Sequence, residues 1–364
     1  MKRWLGLAMW AMAAAAAPAA SPSVARQMGG AVADVVERVM PAVVVVRTEA
    51  VQVHLARDPF WGRLYRIPER LAGQGSGAII RKEGYVLTSH HVVKDAQQIE
   101  VALPDGTKFS AKVVGRDPVT DLAVLKIEKA GSRAFPVIEP GDSDKMRVGE
   151  FVIAIGSPFS LNSSVTLGII SQKGRAVGLL PYEDFIQTDA SINPGNSGGP
   201  LVDMDGRLAG INAVIQTASP YAQGNIGIGF AVPANLALRV ADELIAHGRI
   251  DRPWLGIQMR DREQEAEAAP RPGRRGRTAA APRGVEVVEV IERAPADKAG
   301  LQVGDLILRV ADQPVTSTHA VQGMVWKFRT GEAIPIEVSR AGQIKVFKVV
   351  TERMPELTRE QAEE

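Results

Sequence analysis

The sequence has no cysteine and only five histidines in 364 residues. Without cysteine there are no disulfides and no thiol nucleophile, and a zinc site would need histidine and carboxylates alone. The five histidines are His54, His90, His91, His247 and His319. So few make a catalytic imidazole easy to shortlist, and neither a metal nor a cofactor is expected. A dominant charge sign is also missing. The formal net charge of +2 argues against a dedicated nucleic-acid binder. At the N-terminus, Lys2 and Arg3 precede an apolar run from Trp4 to Ala17, followed by small residues at Ala17-Pro18-Ala19-Ala20 and Ser23-Val24-Ala25. A spanning helix needs roughly 20 apolar residues, so this shorter run reads as a secretory signal peptide over residues 1–25. An uncleaved membrane anchor is the second reading. Export of a cysteine-free chain points to a bacterial periplasm.

Glycine, by contrast, is plentiful at 35 residues, much of it in clusters between short apolar runs. Such punctuation marks tight turns and a β-rich fold. Ala31 to Met40 has helical spacing and stops at Pro41, and Ala42 to Val53 is β-branched and reads as a strand. Asp58 to Leu71, with Phe60 and Trp61, reads as a long loop. From Gln74 to about Val232 short strands alternate with turn signals, as in an antiparallel barrel or sandwich. Ala234 to His247 is a helix that closes the first domain. Arg260 to Gly284 is rich in Arg, Ala, Pro and Glu and reads as a solvated insertion. Beyond it, Val285 to Val349 alternates strands and turns around one helical stretch, Thr318 to Phe328. With Pro253 to Met259 as its first strand, this is a second compact domain. The expected division is 26–248, 249–353 carrying the 260–284 insertion, and a tail over 354–364.

Ser197 stands in Gly195-Asn196-Ser197-Gly198-Gly199-Pro200. A serine hydroxyl needs a base to take its proton and N–H groups aimed at the developing oxyanion. Flanking glycines permit the backbone angles that turn successive N–H groups into one pocket. Gly195, Asn196 and Ser197 are the oxyanion-hole candidates. The run also fits the G-x-S-x-G elbow of α/β-hydrolases, but the residues after Ser197 give a hairpin signal around Asp205-Gly206, not a helix. Upstream, Tyr85 to Val93 reads as a strand ending in His90-His91, and chemistry alone leaves either imidazole eligible as the base. For the carboxylate that orients it, Asp117 precedes a proline and looks like a turn residue, whereas Asp121 opens the apolar strand LAVLKI and is preferred.

Thr88 to Val93, Asp121 to Leu125 and Gly195 to Pro200 resemble the three catalytic blocks of chymotrypsin-like serine proteases. More closely, the chain resembles the HtrA/Deg family, in which such a double β-barrel is followed by one or two PDZ domains. The resemblance implies a mainly β fold with a chymotrypsin-like double barrel and one PDZ domain, a small α+β, partly open barrel. Thr, two variable residues, His, Val, Val maps the base onto His91 and makes His90 the variable position, giving a triad of His91, Asp121 and Ser197. Trp254-Leu255-Gly256-Ile257 is similar to the carboxylate-binding loop of PDZ domains, and Ala299 to Ile307 matches the family's A-G-L-x-x-G-D-x-I pattern.

The resemblance further implies an ATP-independent endopeptidase for unfolded or mislocalised envelope proteins, assembled as a homotrimer or higher multiple. Ile192, Ile211, Asn212 and Ile215 would contact substrate, Ile192 and Ile215 lining a small apolar pocket. Asp189, eight residues before Ser197, raises a preference for basic residues as an alternative, and is read as structural. C-terminal peptides would add a strand beside Leu255, Gly256 and Ile257, with Val321 and either Val325 or Met324 on the far wall. Residues 171–186, 191–195 and 216–224 would be activation loops. Two other readings stand beside this one: a membrane-associated sensor protease retaining residues 1–25, and a chaperone or peptide-binding scaffold.

Overall fold

The computed structural model describes residues 23–57, 64–156, 164–180, 182–215, 226–262 and 284–355. Residues 1–22, most of the segment read as a signal, therefore lie outside the described residues, as do Phe60 and Trp61. Ser23 caps helix α1 (Val24–Val39) by accepting the Arg26 N–H at 3.3 Å, and the helix buries Val35 and Val39. Pro41 lies in the tight turn that ends it.

Six strands then close into a barrel: β1 (Val43–Arg57), β2 (Leu64–Arg81), β3 (Tyr85–Ser89), β4 (Gln98–Ala102), β5 (Lys108–Asp117) and β6 (Leu122–Ile127), in spatial order β1-β2-β3-β6-β5-β4. Closure leaves no sheet edge within the barrel itself. β1 and β2 pair without interruption from Val43↔Ala78 to Arg57↔Leu64, so residues from Leu64 onward are strand and not the expected loop. Pro68 is tolerated there because the outer ribbon pairs on one side only. The strand from Tyr85 likewise stops earlier than expected. Ser89 ends it, and His90–Val93 forms one helical turn, α2.

A second barrel comes next, from β7 (Phe151–Gly156), β8 (Ser164–Arg175), β9 (Phe185–Thr188), β10 (Pro200–Asp203), β11 (Leu208–Ile215) and β12 (Gly229–Pro233), in order β10-β11-β12-β9-β8-β7. Residues 171–175 and 185–186 are therefore strand, and the expected activation loop shrinks to the segment between β8 and β9. α3 (Ala234–His247) ends at Gly248 in the left-handed conformation, as its sequence predicted. An apolar core running through both barrels, including Leu87, Leu125, Ile155 and Phe230, joins them across their seam. Burying each such side chain stabilises the fold by about 1.5–3 kcal/mol.

The C-terminal domain has β13 (Pro253–Trp254), β14 (Ile257–Asp261), β15 (Val285–Val290), α4 (Pro295–Ala299), β16 (Leu306–Val310), β17 (Gln313–Pro314), α5 (Thr318–Val325), β18 (Ala333–Arg340), β19 (Gln343–Val350) and β20 (Glu352–Arg353). Its main sheet runs β14-β15-β16-β18-β19, with β17 on β16, while β13 pairs with β20. The expected first strand is thus split at Leu255-Gly256, and α5 ends three residues before Phe328. The mainly β architecture, two six-stranded barrels and a smaller α+β domain, is the one expected.

Candidate active site

The helical turn α2 and the turn before β6 meet at Asp121. Its side chain is 6% exposed, and its backbone is left-handed at φ 55°. Its carbonyl accepts the His90 N–H at 2.9 Å, and its Oδ1 accepts the His91 N–H, also at 2.9 Å. Its Oδ2 lies 2.6 Å from His91 Nδ1. This grip explains why β3 gives way to a helical turn at His90: both amides turn toward Asp121. His91 is held by its Nδ1 while its side chain stays 49% exposed, and its other ring nitrogen makes no hydrogen bond among the described residues. The His90 ring is half-buried, and burial holds it below the ordinary imidazole value. Asp121 opposes that, Arg116 and Lys94 add to it, and Asp117 opposes it.

On the second barrel, the Ser197 turn is built from backbone. Asn196 N–H donates to Asn193 O at 2.9 Å, Gly199 N–H to Asn196 O at 2.9 Å, and Gly198 N–H to Asn212 O at 2.8 Å. Gly195 and Gly198 both have positive φ, 104° and 81°. At Gly198 a Cβ would sit 2.3 Å from Thr88 Oγ1 and 2.4 Å from Ser76 O, so no larger residue fits. The first barrel pins the turn as well. Ser76 donates its N–H to Ser197 O at 2.9 Å and its hydroxyl to Gly195 O at 2.6 Å, while Thr88 Oγ1 donates to Ser76 O at 2.7 Å. Ser197 Oγ itself donates to Ala213 O at 3.4 Å, and no His91–Ser197 hydrogen bond occurs among the described residues. Among those residues, the buried side-chain polar atoms without a partner are Ser89 Oγ, His90 Nδ1, Asn196 Oδ1 and Asn212 Oδ1, all on segments beside this seam.

The substrate-contact candidates are placed differently. Ile192, 1% exposed, packs with Ile170, Ile186 and Leu201 and lies under Gly229. Ile211 is fully buried in the core. Asn212 is also fully buried, and it staples the Ser197 turn through its N–H to Gly199 O at 2.9 Å and its side-chain amide to Pro200 O at 3.2 Å. Neither residue is exposed to substrate. Ile215 ends β11 opposite Gly229. Asp189 accepts the Ile169 N–H at 2.7 Å, the structural role read for it.

In the C-terminal domain, Leu255 O accepts the Ala296 N–H at 2.8 Å and Gly256 O accepts the Ile291 N–H at 2.9 Å, which seats this loop against α4. β14, starting at Ile257, forms one edge of the sheet. Val321 and Val325 point into the core instead of a groove, and Met324 is half-buried.

Residues 75–211 match the family described as the trypsin-like peptidase domain, and residues 253–351 match the PDZ domain. A solved structure of the HtrA-type protease AlgW with a decapeptide is 41% identical. The match covers 89% of this chain and 98% of that one, with a TM-score of 0.71. The chain belongs to the HtrA-type proteases. The serine endoprotease of Yersinia pestis is another structural relative, at 35% identity and a TM-score of 0.61. Among curated relatives, a periplasmic serine endoprotease DegP-like protein of Pseudomonas fulva is 43% identical over 282 residues, 77% of this chain and 56% of its own length. A protein of the same description from Chlamydia muridarum is 39% identical over 308 residues, 82% of this chain and 59% of its own length. This HtrA-type chain thus spans little more than half the length of those curated relatives. Their named compartment agrees with the export read from its N-terminus.

Two features of this HtrA-type site were missed in the sequence. Glu183 accepts four successive amides, those of Val177, Gly178, Leu179 and Leu180, the last at 2.7 Å. Burial pushes its carboxyl up, but the four amides outweigh burial and hold it below the usual carboxylate range. Asp117 is indeed a turn residue, accepting the Val119 N–H at 3.2 Å, and it is also paired with Arg252 from far along the chain. An acidic residue in the loop before β9 and an arginine beside Pro253 were the only signals the sequence offered.

Proposed function

We propose that the chain is an ATP-independent serine endopeptidase of the periplasm, acting on unfolded or mislocalised envelope proteins through Ser197, His91 and Asp121. The observation that carries this reading is the Asp121 carboxylate, nearly buried and gripping both the amide and Nδ1 of His91 beside the glycine-built Ser197 turn. Ser197 Oγ attacks the scissile carbonyl while His91 Nε2 takes its proton, and Asp121 stabilises the imidazolium. The N–H groups of Gly195 and Ser197 receive the oxyanion. His91 then returns the proton to the leaving amine, and water repeats the sequence on the acyl-enzyme.

The hydroxyl of Ser197 is turned toward Ala213 O and, among the described residues, makes no hydrogen bond to His91, which supports a gated resting state. C-terminal peptides adding a strand at β14 would drive its closure on His91, with Ile192 and Ile215 shaping a pocket for small apolar residues. The protease domain is taken as 26–248 and the PDZ domain as 249–353, in a homotrimer or higher multiple. Casein degradation tests the reading. Ser197→Ala is expected to lower it on the order of 10⁵-fold or more while binding persists. Equal degradation by Ser197→Ala would leave a chaperone or peptide-binding scaffold as the better description. A membrane-associated sensor protease would be favoured if N-terminal sequencing found residues 1–25 retained.

A further inference from the structure

The amides of residues 195–199 form the Ser197 turn, and they alternate in how they are used. The N–H of Asn196 is turned inward to Asn193 O, and those of Gly198 and Gly199 go to Asn212 O and Asn196 O. The N–H groups of Gly195 and Ser197 donate to no acceptor among the described residues. Those two are the amides an oxyanion would need, and their spacing and tilt decide whether both can reach one oxygen. Gly195 does not fix its own amide. It stands at φ 104°, and glycine adopts either sign of φ about equally.

The restraint comes from the other barrel, through a single residue. Ser76 is fully buried in β2, where it pairs with Val45 of β1. Its hydroxyl donates to Gly195 O at 2.6 Å and its N–H to Ser197 O at 2.9 Å. Ser76 thus holds the carbonyl of each of the two residues whose N–H is free. The Gly195 carbonyl and the Asn196 N–H share one peptide plane, gripped at its oxygen by Ser76 and at its nitrogen by Asn193 O. That plane is half of the link between the two donor residues, and the Ser76 N–H on Ser197 O fixes the far end. The clamp is itself anchored, because Thr88 Oγ1 donates to Ser76 O at 2.7 Å and ties it to β3.

We propose that Ser76 is a positioning residue for the oxyanion hole: its hydroxyl and N–H hold the carbonyls of Gly195 and Ser197 so that the two free amides converge on one substrate oxygen. Buried as it is, Ser76 does not meet substrate, and its effect falls on turnover while binding is kept. The inference rests on the protease reading and adds to it a residue of the first barrel besides His91 and Asp121. A serine that merely packed the seam would change stability and leave the anion's stabilisation as it is.

The test uses the full chain with Ser76→Ala, which deletes one hydroxyl and keeps the backbone arm of the clamp. The variant is expected to lower kcat about tenfold at unchanged KM, short of the roughly 10²- to 10³-fold that losing an oxyanion donor outright costs. A peptidyl trifluoromethyl ketone reads the hole directly. Ser197 Oγ bonds to its carbonyl carbon, the π electrons pass to the carbonyl oxygen, and the Oγ proton passes to His91. The resulting hemiketal oxygen occupies the oxyanion position, and fluorine NMR follows its protonation with pH. In Ser76→Ala it should take up its proton about one pH unit higher, the same tenfold lost from the anion. Amide NMR of Gly195 in the free protein gives a readout independent of turnover, and its resonance should shift and broaden in the variant. If Ser76→Ala binds the hemiketal anion with wild-type protonation, the proposal is overturned, whatever its kcat. A wild type that cleaves nothing and forms no adduct would overturn the protease reading instead. The Gly195 amide would then decide this one, and an unchanged resonance would overturn it.

Discussion

In the first barrel, His91 and Asp121 are joined side chain to side chain, with two further backbone contacts fixing the pair. In the second, Ser197 is fixed almost wholly by main-chain bonds of its turn, and its hydroxyl is directed at Ala213 O. One half of the proposed triad is therefore set by specific side chains, the other by backbone geometry that only glycine can adopt. Among the described residues no hydrogen bond joins Ser197 to His91, and that junction is where a gate would act.

Substitutions in each half can break this contrast. Asp121→Asn should have the largest effect, lowering kcat on the order of 10³- to 10⁴-fold in single-turnover acylation. Asparagine tolerates a positive φ, so thermal unfolding should change little. On the other side, Gly198→Ala should cost about 3 kcal/mol in urea unfolding, from left-handed strain and from overlap with Thr88 and Ser76. Thr88→Val removes the hydroxyl bond to Ser76 O, for about 1 kcal/mol, and it should slow acylation more than it weakens folding. Glu183→Gln probes the loop that carries Tyr182. The carboxyl is held below its unfolded value, so its contribution is complete above the ordinary carboxylate range and is lost as pH falls through the lower folded value. Hydrogen exchange at the amides of Val177 to Leu180 should rise in acid for the wild type, and at every pH for the variant. The smallest change belongs to His90→Asn. The depressed imidazole value means the unfolded chain takes up the proton first, so stability drops as pH falls below the ordinary imidazole range. Unfolding of the variant should lack that acid component, with activity kept, because His90 holds Asp121 through its backbone.

The features legible in the sequence were those written in local patterns: the glycine turn around Ser197, the apolar strand after Asp121, the α3 helix with its Gly248 stop, and the hairpin that ruled out an elbow. Features made by distant partners could not be read. The strand after Tyr85 was drawn too long because the bonds that turn His90 and His91 come from Asp121. Residues 64–71 looked like a loop because their aromatic, arginine and proline content hides pairing supplied by β1. Ile211 and Asn212 were assigned to substrate because family position says nothing of β11's two faces: Ile211 points into the core and Asn212 is buried against the Ser197 turn. Asp117 was correctly a turn residue, but nothing near it announced Arg252.

Ser76 gives the seam a further meaning. It belongs to the first barrel, yet its N–H and hydroxyl complete the turn of the second at Ser197 O and Gly195 O. A chain in which only the earlier barrel has formed has the imidazole but no nucleophile, and the later barrel alone has the serine but not the clamp that shapes it. The proposed site is therefore complete only where the two barrels meet. On the proposed reading, a chain with only one barrel in place holds an incomplete cutting edge.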